Sequence, residues 1–242
     1  MKTLVYTVIQ NDMVMLDLWL KYYSRYFDNL FVIKWMTKKR YDPYFKRLSK
    51  KYKIDFDSMG KEDILRYGAN MGARIFIQKK QAEFLALPNE YDWVLYCNCD
   101  EILAPRKGKN LRDFMKKNTH RKWVACEGYE VIQAEGEGPI DYSKPYLRQR
   151  KYWIKNFNYN KIILSRVYLD WVDGTHKLAK MTDDESRAFK NTGLYLVHLK
   201  HADLNPKGKR DFGPFKTNPD PNIIQHWLDK KEPIPEHIRK LI

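Results

Sequence analysis

The sequence predicts an α/β fold on a mostly parallel central sheet flanked by helices. Three observations carry that prediction. Thr3–Ile9 is an apolar, β-favouring run, after which Met15, Leu16, Trp19, Leu20 and Tyr23 recur at helical spacing before a second apolar run, Leu30–Trp35. A strand–helix–strand opening within about 35 residues is the unit that joins parallel strands. Strand-like and helix-like periods then keep alternating up to Tyr91–Tyr96, a β-favouring run that leads straight into Asn98-Cys99-Asp100-Glu101.

Each element has its own signal. Asn11 or Asp12 caps the first helix, and Phe27-Asp28-Asn29 ends it. Asp42–Tyr52 reads as a helix, Lys53–Phe56 as a short strand, and Gly68–Leu87 as a long helix. Pro88-Asn89-Glu90 precedes the acidic strand and Pro105 follows it, so a buried parallel strand ends in two adjacent carboxylates. Leu111–Lys117 reads as a helix and Trp123–Ile132 as a strand, and Gln133–Ile140 is a loop. Lys161–Tyr168 and Leu194–Lys200 are the last strong strands. Six of the 11 prolines fall after residue 205, which predicts a loop-rich C-terminal arm with one short helix near Ile223–Asp229.

Composition narrows the class. A chain of 242 residues, 43% hydrophobic and 14% aromatic, builds a core without difficulty and is not disordered. Its formal charge of +15 favours phosphorylated ligands, polyanions or peripheral contact with an anionic membrane. Cys97, Cys99 and Cys126 cannot all pair, and no Cys-x-x-Cys is present, which argues for a reducing compartment and against a structural zinc site. Cys97 and Cys99 fall at alternate positions of one predicted strand and so share a face. The N-terminal apolar run stops at Gln10-Asn11-Asp12, too soon for a signal peptide, and no window reaches transmembrane length. The expectation is a soluble, cytoplasmic protein.

Asp100 and Glu101 arrive where the ligand crevice of an open α/β sheet lies, just beyond the carboxyl ends of the strands. Carboxylates placed there need a positive partner, and a divalent cation is a common one. The plainer alternative makes Asp100 a turn cap and leaves Glu101 in solvent.

An ordered set of motifs weighs on this choice: Gln10-Asn11-Asp12, WLKYYSRYFDN at 19–29, DWVLYCNCDE at 92–101, Gly174-Thr175-His176, and His198-Leu199-Lys200-His201. Together they resemble the family 2-like glycosyltransferases of the GT-A (Rossmann-like) fold, over roughly residues 3 to 205. The resemblance implies one catalytic domain over 1–205, with a nucleotide-sugar half (1–105) and an acceptor half (106–205), followed by a C-terminal extension (206–242). It implies transfer of a sugar from a nucleotide-sugar, UDP-linked in the first instance, to a glycan, glycoprotein or other hydroxyl acceptor, assisted by Mn²⁺ or Mg²⁺. Asp100, with His176 or His198, would hold the metal. Asn11, Trp35, Arg74, Asn98 and Asp100 would contact the nucleotide-sugar. Asp173 would be the general base, with Glu130, Glu135 and Glu137 as alternatives, and Glu101 would orient the reacting groups.

Two positions depart from the family pattern. The first acid of its Asp-x-Asp element is Asn98 here, so one negative charge is missing, and Asn98→Asp is expected to restore it without harm to the fold. After the second strand the family often carries an acid, and this chain has Lys34-Trp35, whose ring either stacks on a base or packs in the core. Cations for a diphosphate could come from Arg66, Arg74, Lys79 and Lys80, or from Arg148, Arg150 and Lys151. Tyr146, Tyr152, Trp153, Phe157 and Tyr159 suit either an acceptor sugar or the core. Three other readings stand beside transfer: a metal-dependent nucleotidyltransferase, a sugar-nucleotide binder without turnover, and a basic nucleic-acid-binding protein. The last lacks any helix-turn-helix, zinc-finger or RNP-type motif, so no nucleic acid is expected.

Overall fold

In a computed structural model, residues 1–35, 37–59, 69–86, 90–107, 110–172, 175, 177–182, 192–203 and 221–242 are described. The opening unit is β1 (Thr3–Ile9), α1 (Met13–Tyr23) and β2 (Asn29–Lys34). Asp12 caps α1, its carboxylate accepting from Met15 N at 3.3 Å. α2 (Asp42–Tyr52) follows and closes on Lys53, whose left-handed φ of 52° turns the chain into β3 (Ile54–Ser58). α3 (Ala69–Ala86) leads to β4 (Trp93–Tyr96) and β5 (Glu101–Pro105), then α4 (Leu111–Lys117) and the long β6 (Trp123–Ile132). β7 (Tyr152–Lys155), β8 (Lys161–Ser165), β9 (Trp171–Val172), β10 (Lys177–Leu178) and β11 (Leu194–His198) come next. α5 (Pro221–Asp229), β12 (Glu232–Pro233) and α6 (Glu236–Arg239) end the chain.

These elements form the α/β architecture expected. The sheet runs β12-β7-β6-β8-β4-β1-β2-β3, with β11 on the free side of β6 and β5 beyond it. The β3-β2-β1-β4 half is parallel throughout, while β8, β7 and β5 pair antiparallel and β11 pairs parallel with β6. Alternation along the strands sorts side chains onto two faces. Val5, Val32, Trp93 and Leu95 point into a core with Leu16, Trp19, Leu20 and Tyr23 of α1 and Phe45 and Leu48 of α2. Leu4, Tyr6, Ile33, Val94 and Tyr96 point into a second core with Ile77 of α3 and Trp171. A fully buried side chain of this size stabilises by about 1.5–3 kcal/mol.

β7 and β8 face β6 as one strand interrupted by a turn at 157–159. Gly128 makes this turn fit: a Cβ there would come within 2.5 Å of Asn156 O and Tyr159 C, so only glycine admits the turn so close. The helix expected near Ile223–Asp229 is present as α5. Beyond it Ile234, Ile238 and Ile242 are buried in the first core, so the chain's last residues are built into the domain.

Candidate metal and nucleotide site

β1, β2 and β4 run toward the same end of the sheet, β4 stopping opposite Tyr6 while β1 and β2 continue to Ile9 and Lys34, and the turn after β4 carries the acidic motif. It does not run straight on. The chain turns over 97–100 and returns as β5, an element that Pro105 concealed in the sequence. Cys97 therefore follows the strand and is buried, whereas Cys99 sits in the turn, so the two thiols do not share a strand face.

β5 explains Glu101, which has no exposed surface. Its carboxylate meets Lys161 Nζ at 2.6 Å, accepts from Asn98 N at 3.0 Å and from Asn98 Nδ2 at 3.3 Å. Asn98 Oδ1 in turn accepts from Tyr96 OH at 2.7 Å. Glu101 thus fixes the turn that presents Asp100. Asn98 uses its amide both as donor and as acceptor. A carboxylate there would lose the Nδ2 donor and set an oxygen against Glu101, so Asn98→Asp is expected to strain this turn.

β11 lies between β5 and β6, and His198 is in register with Glu101 on one side and Glu130 on the other. Its Nδ1 is 2.6 Å from Glu130 Oε2, and its Nε2 is 3.5 Å from Asp100 Oδ2. His201 brings Nδ1 to 3.1 Å from Glu130 Oε1, without aligned hydrogen-bond geometry, and its backbone N–H donates to the same oxygen at 3.3 Å. The Tyr159 ring stacks on His198 with centroids 4.1 Å apart. Trp227 of α5 lies 4.9 Å from the His201 ring.

Burial opposes charge on His198, but Glu130 and Asp100 outweigh it and raise its pKa to about 10. Burial likewise pushes the Glu130 carboxyl up, and His198 and His201 overcome this, leaving it below the ordinary carboxylate value. Burial first, then Glu130, Asp100 and Glu101, pushes the Tyr159 phenol up.

The donor set fits a hard divalent cation. Neighbouring oxygen and nitrogen ligands of one ion lie roughly 3.0–3.4 Å apart, close to the 3.5 Å between Asp100 Oδ2 and His198 Nε2. Glu130, His198 and His201 also place one donor atom each within 4.8 Å of one another. The 2.6 Å contact between Glu130 Oε2 and His198 Nδ1 is, however, a hydrogen-bond distance, too short for those two atoms to ligate one ion together, while Glu130 Oε1 stands 3.1 Å from His201 Nδ1. Glu130 is therefore a carboxylate that aims the His198 ring, as outer-shell acids do at metal sites.

The remaining candidates fall as follows. Asn11 is buried after β1 and accepts from Lys38 N at 3.2 Å, and Trp35 continues β2 with its N–H donating to Ile9 O at 2.9 Å. Both stand at the same sheet end as Asp100. Arg74 is half-buried on α3, and its Nε has no hydrogen-bond partner among the described residues. Arg66, Asp173 and His176 lie outside the described residues. Glu130 lies within β6, inside the strand expected over Trp123–Ile132, between β7 and β11. Arg150 is buried against Glu137, Gln149 O and Ala202 O, which removes it as a diphosphate contact. Lys80 pairs with Asp57 and Glu83. Tyr146 and Trp153 are core residues, while Phe157 is exposed.

Sequence reasoning missed Glu130 as a positioning group, together with Lys161 and His201. His201 was the most legible, three residues beyond His198 in a motif already singled out. Glu130 and Lys161 look like strays in apolar strands, and a charge in a predicted buried strand was the available signal.

No protein-family model matches this chain. No curated protein matches it either. Among solved structures the chain is similar to S. aureus TarS, with 11% identity over 84% of this chain and 36% of that one, at a TM-score of 0.38. It is similar to residues 1–349 of S. aureus TarS, with 10% identity over 83% of this chain and 58% of that one, at a TM-score of 0.34. The same fragment in complex with UDP gives 12% identity over 83% and 58%, at a TM-score of 0.37. The chain thus spans 36% to 58% of the length of these structures.

Proposed function

We propose that this chain transfers a sugar from a nucleotide-sugar, UDP-linked in the first instance, to a hydroxyl of a glycan or glycoprotein, with Mn²⁺ or Mg²⁺ held by Asp100 and His198. The observation that carries the reading is the convergence of Asp100 Oδ2 and His198 Nε2 at 3.5 Å, at the end of the sheet toward which β1, β2 and β4 run. The ordered motifs of the glycosyltransferase resemblance support it independently.

The residues divide the work. Asn11 and Trp35 flank the mouth on the side where the base and ribose would lie. Glu101 and Lys161 hold the 97–100 turn rigid, so Asp100 is aimed before any ligand arrives. Glu130 holds His198 by Nδ1 and leaves Nε2 facing Asp100. A divalent cation there would supply charge to a departing diphosphate. Asp173 is assigned the general base that takes the acceptor's proton.

Calorimetry of UDP binding with Mn²⁺ and with EDTA, in wild type, Asp100→Ala and His198→Ala, tests the site. Metal should tighten binding in the wild type only, and Asp173→Asn should keep that binding while losing transfer. Equal affinity under all conditions refutes the reading.

A further inference from the structure

A second surface lies at the opposite end of the sheet from Asp100. Trp123 opens β6 and is 41% exposed, and Tyr168, just after β8, is 49% exposed. Register places the two segments side by side, with Trp123 opposite Ser165 and Arg166 N–H donating to Lys122 O at 2.8 Å. The Arg166 side chain also donates to Asp92 O at 3.0 Å and to Thr119 O, tying the 119–122 loop to the rim. On the segments that carry the two rings, Lys116, Lys117, His120, Arg121, Lys122 and Arg166 are exposed; no Asp or Glu occurs in 114–123 or 165–169, and Asp92 and Asp170 are acids that border them.

We propose that this rim docks the protein on an anionic lipid bilayer. Large rings with a polar edge, exposed beside clustered lysine and arginine, are the side chains that settle at a water–bilayer interface. Each component has a bland explanation alone, since single exposed aromatics are common and most cations are solvated. Their coincidence comes from segments more than 40 residues apart joined by the fold. A nucleic-acid duplex would ask for a helix or ribbon free to enter a groove, whereas this rim ends a sheet whose strands are already paired. Among the described residues no helix is long and apolar enough to cross a membrane, so the contact is peripheral. The strand β4, Trp93 to Tyr96, puts roughly 10 Å of extended chain between this end and the 97–100 turn that carries Asp100. A docked molecule would therefore turn its Asp100 end away from the lipid.

The test is co-sedimentation of the whole chain with vesicles of phosphatidylcholine, alone or mixed with phosphatidylglycerol, at low and high salt. Binding should need the anionic lipid and fall with salt. A Lys116→Gln, Lys117→Gln, Arg121→Gln, Lys122→Gln variant should lose roughly 600-fold in affinity, from about 5-fold per cation near such a surface. A separate Trp123→Ser, Tyr168→Ser variant should also weaken binding without a change of net charge. Changing four cations of α2 to Gln (Lys46, Arg47, Lys50, Lys51) should leave most of the affinity. Circular dichroism establishes that each variant is folded. Absence of vesicle binding, equal binding to neutral vesicles, or equal loss in the α2 variant overturns the proposal. So does patch-dependent binding of a DNA duplex without binding to vesicles.

Discussion

Lys161→Met probes how the site is held. In the folded protein Lys161 and Glu101 are 1% and 0% exposed and 2.6 Å apart, so neither charge can turn to water. Removing the ammonium leaves a buried carboxylate with neutral donors alone, Asn98 N, Asn98 Nδ2 and the weak Cys97 Sγ. Breaking a buried pair on one side costs about 3–5 kcal/mol, a large share of the roughly 5–15 kcal/mol that holds a domain together. Converting both partners, Lys161→Met with Glu101→Leu, removes the stranded charge and leaves only the Asn98 donors without an acceptor, at about 1–3 kcal/mol. The double variant should thus be more stable than the single one. Urea unfolding of the parent, both single variants and the double variant closes the cycle. A Lys161→Met loss below about 1 kcal/mol, or a double variant that merely adds the two single losses, would refute a pair buried and coupled in this way.

Other expectations follow from the same geometry. Asn98→Asp should lower stability by about 1–3 kcal/mol, because it exchanges a bond to Glu101 for like-charge contact; unchanged urea midpoints would contradict this. Gly128→Ala should cost about 1–3 kcal/mol by overpacking and weaken Mn²⁺ binding as Tyr159 shifts from His198, so a variant with unaltered melting and unaltered metal affinity would show the turn is not tight. In metal-free protein, the raised pKa of His198 contributes stability that is whole below about pH 6.5 and is lost as pH rises through about 10. His198→Gln should flatten the alkaline limb of the stability profile, and an unchanged limb would remove His198 from that role.

The parallel half of the fold was legible because burial on both faces leaves continuous apolar runs, as in Thr3–Ile9 and Trp93–Tyr96. α2, α4 and β6 were legible too, to within a residue or two, from period and cap signals. β5 was not, since five residues closed by a proline look like the end of a turn. Asp100 and His198 could be found by motif, but their company could not. Glu130, Lys161 and Glu101 are united by register across strands far apart in the chain, and local patterns contain no register. The same blindness made Asn98 look like a lost acid, when its amide is half of a bond to Glu101.

β11 has a consequence for the order in which the molecule assembles. It is the centre of a three-strand rung, with β5 on one side and β6 on the other, and its His198 joins Glu130 across 68 residues of chain. Until this segment arrives, β5 and one side of β6 present bare hydrogen-bonding edges, and Glu130 is a carboxylate without its imidazole. Contacts of such long range close late because the loop entropy must be met first. The end of the sheet that carries Asp100 and His198 is therefore among the last parts to form. A nascent chain that has not yet delivered residues 194–198 carries an open sheet edge, and that interval is when the protein is most exposed to edge-to-edge aggregation and most dependent on chaperones.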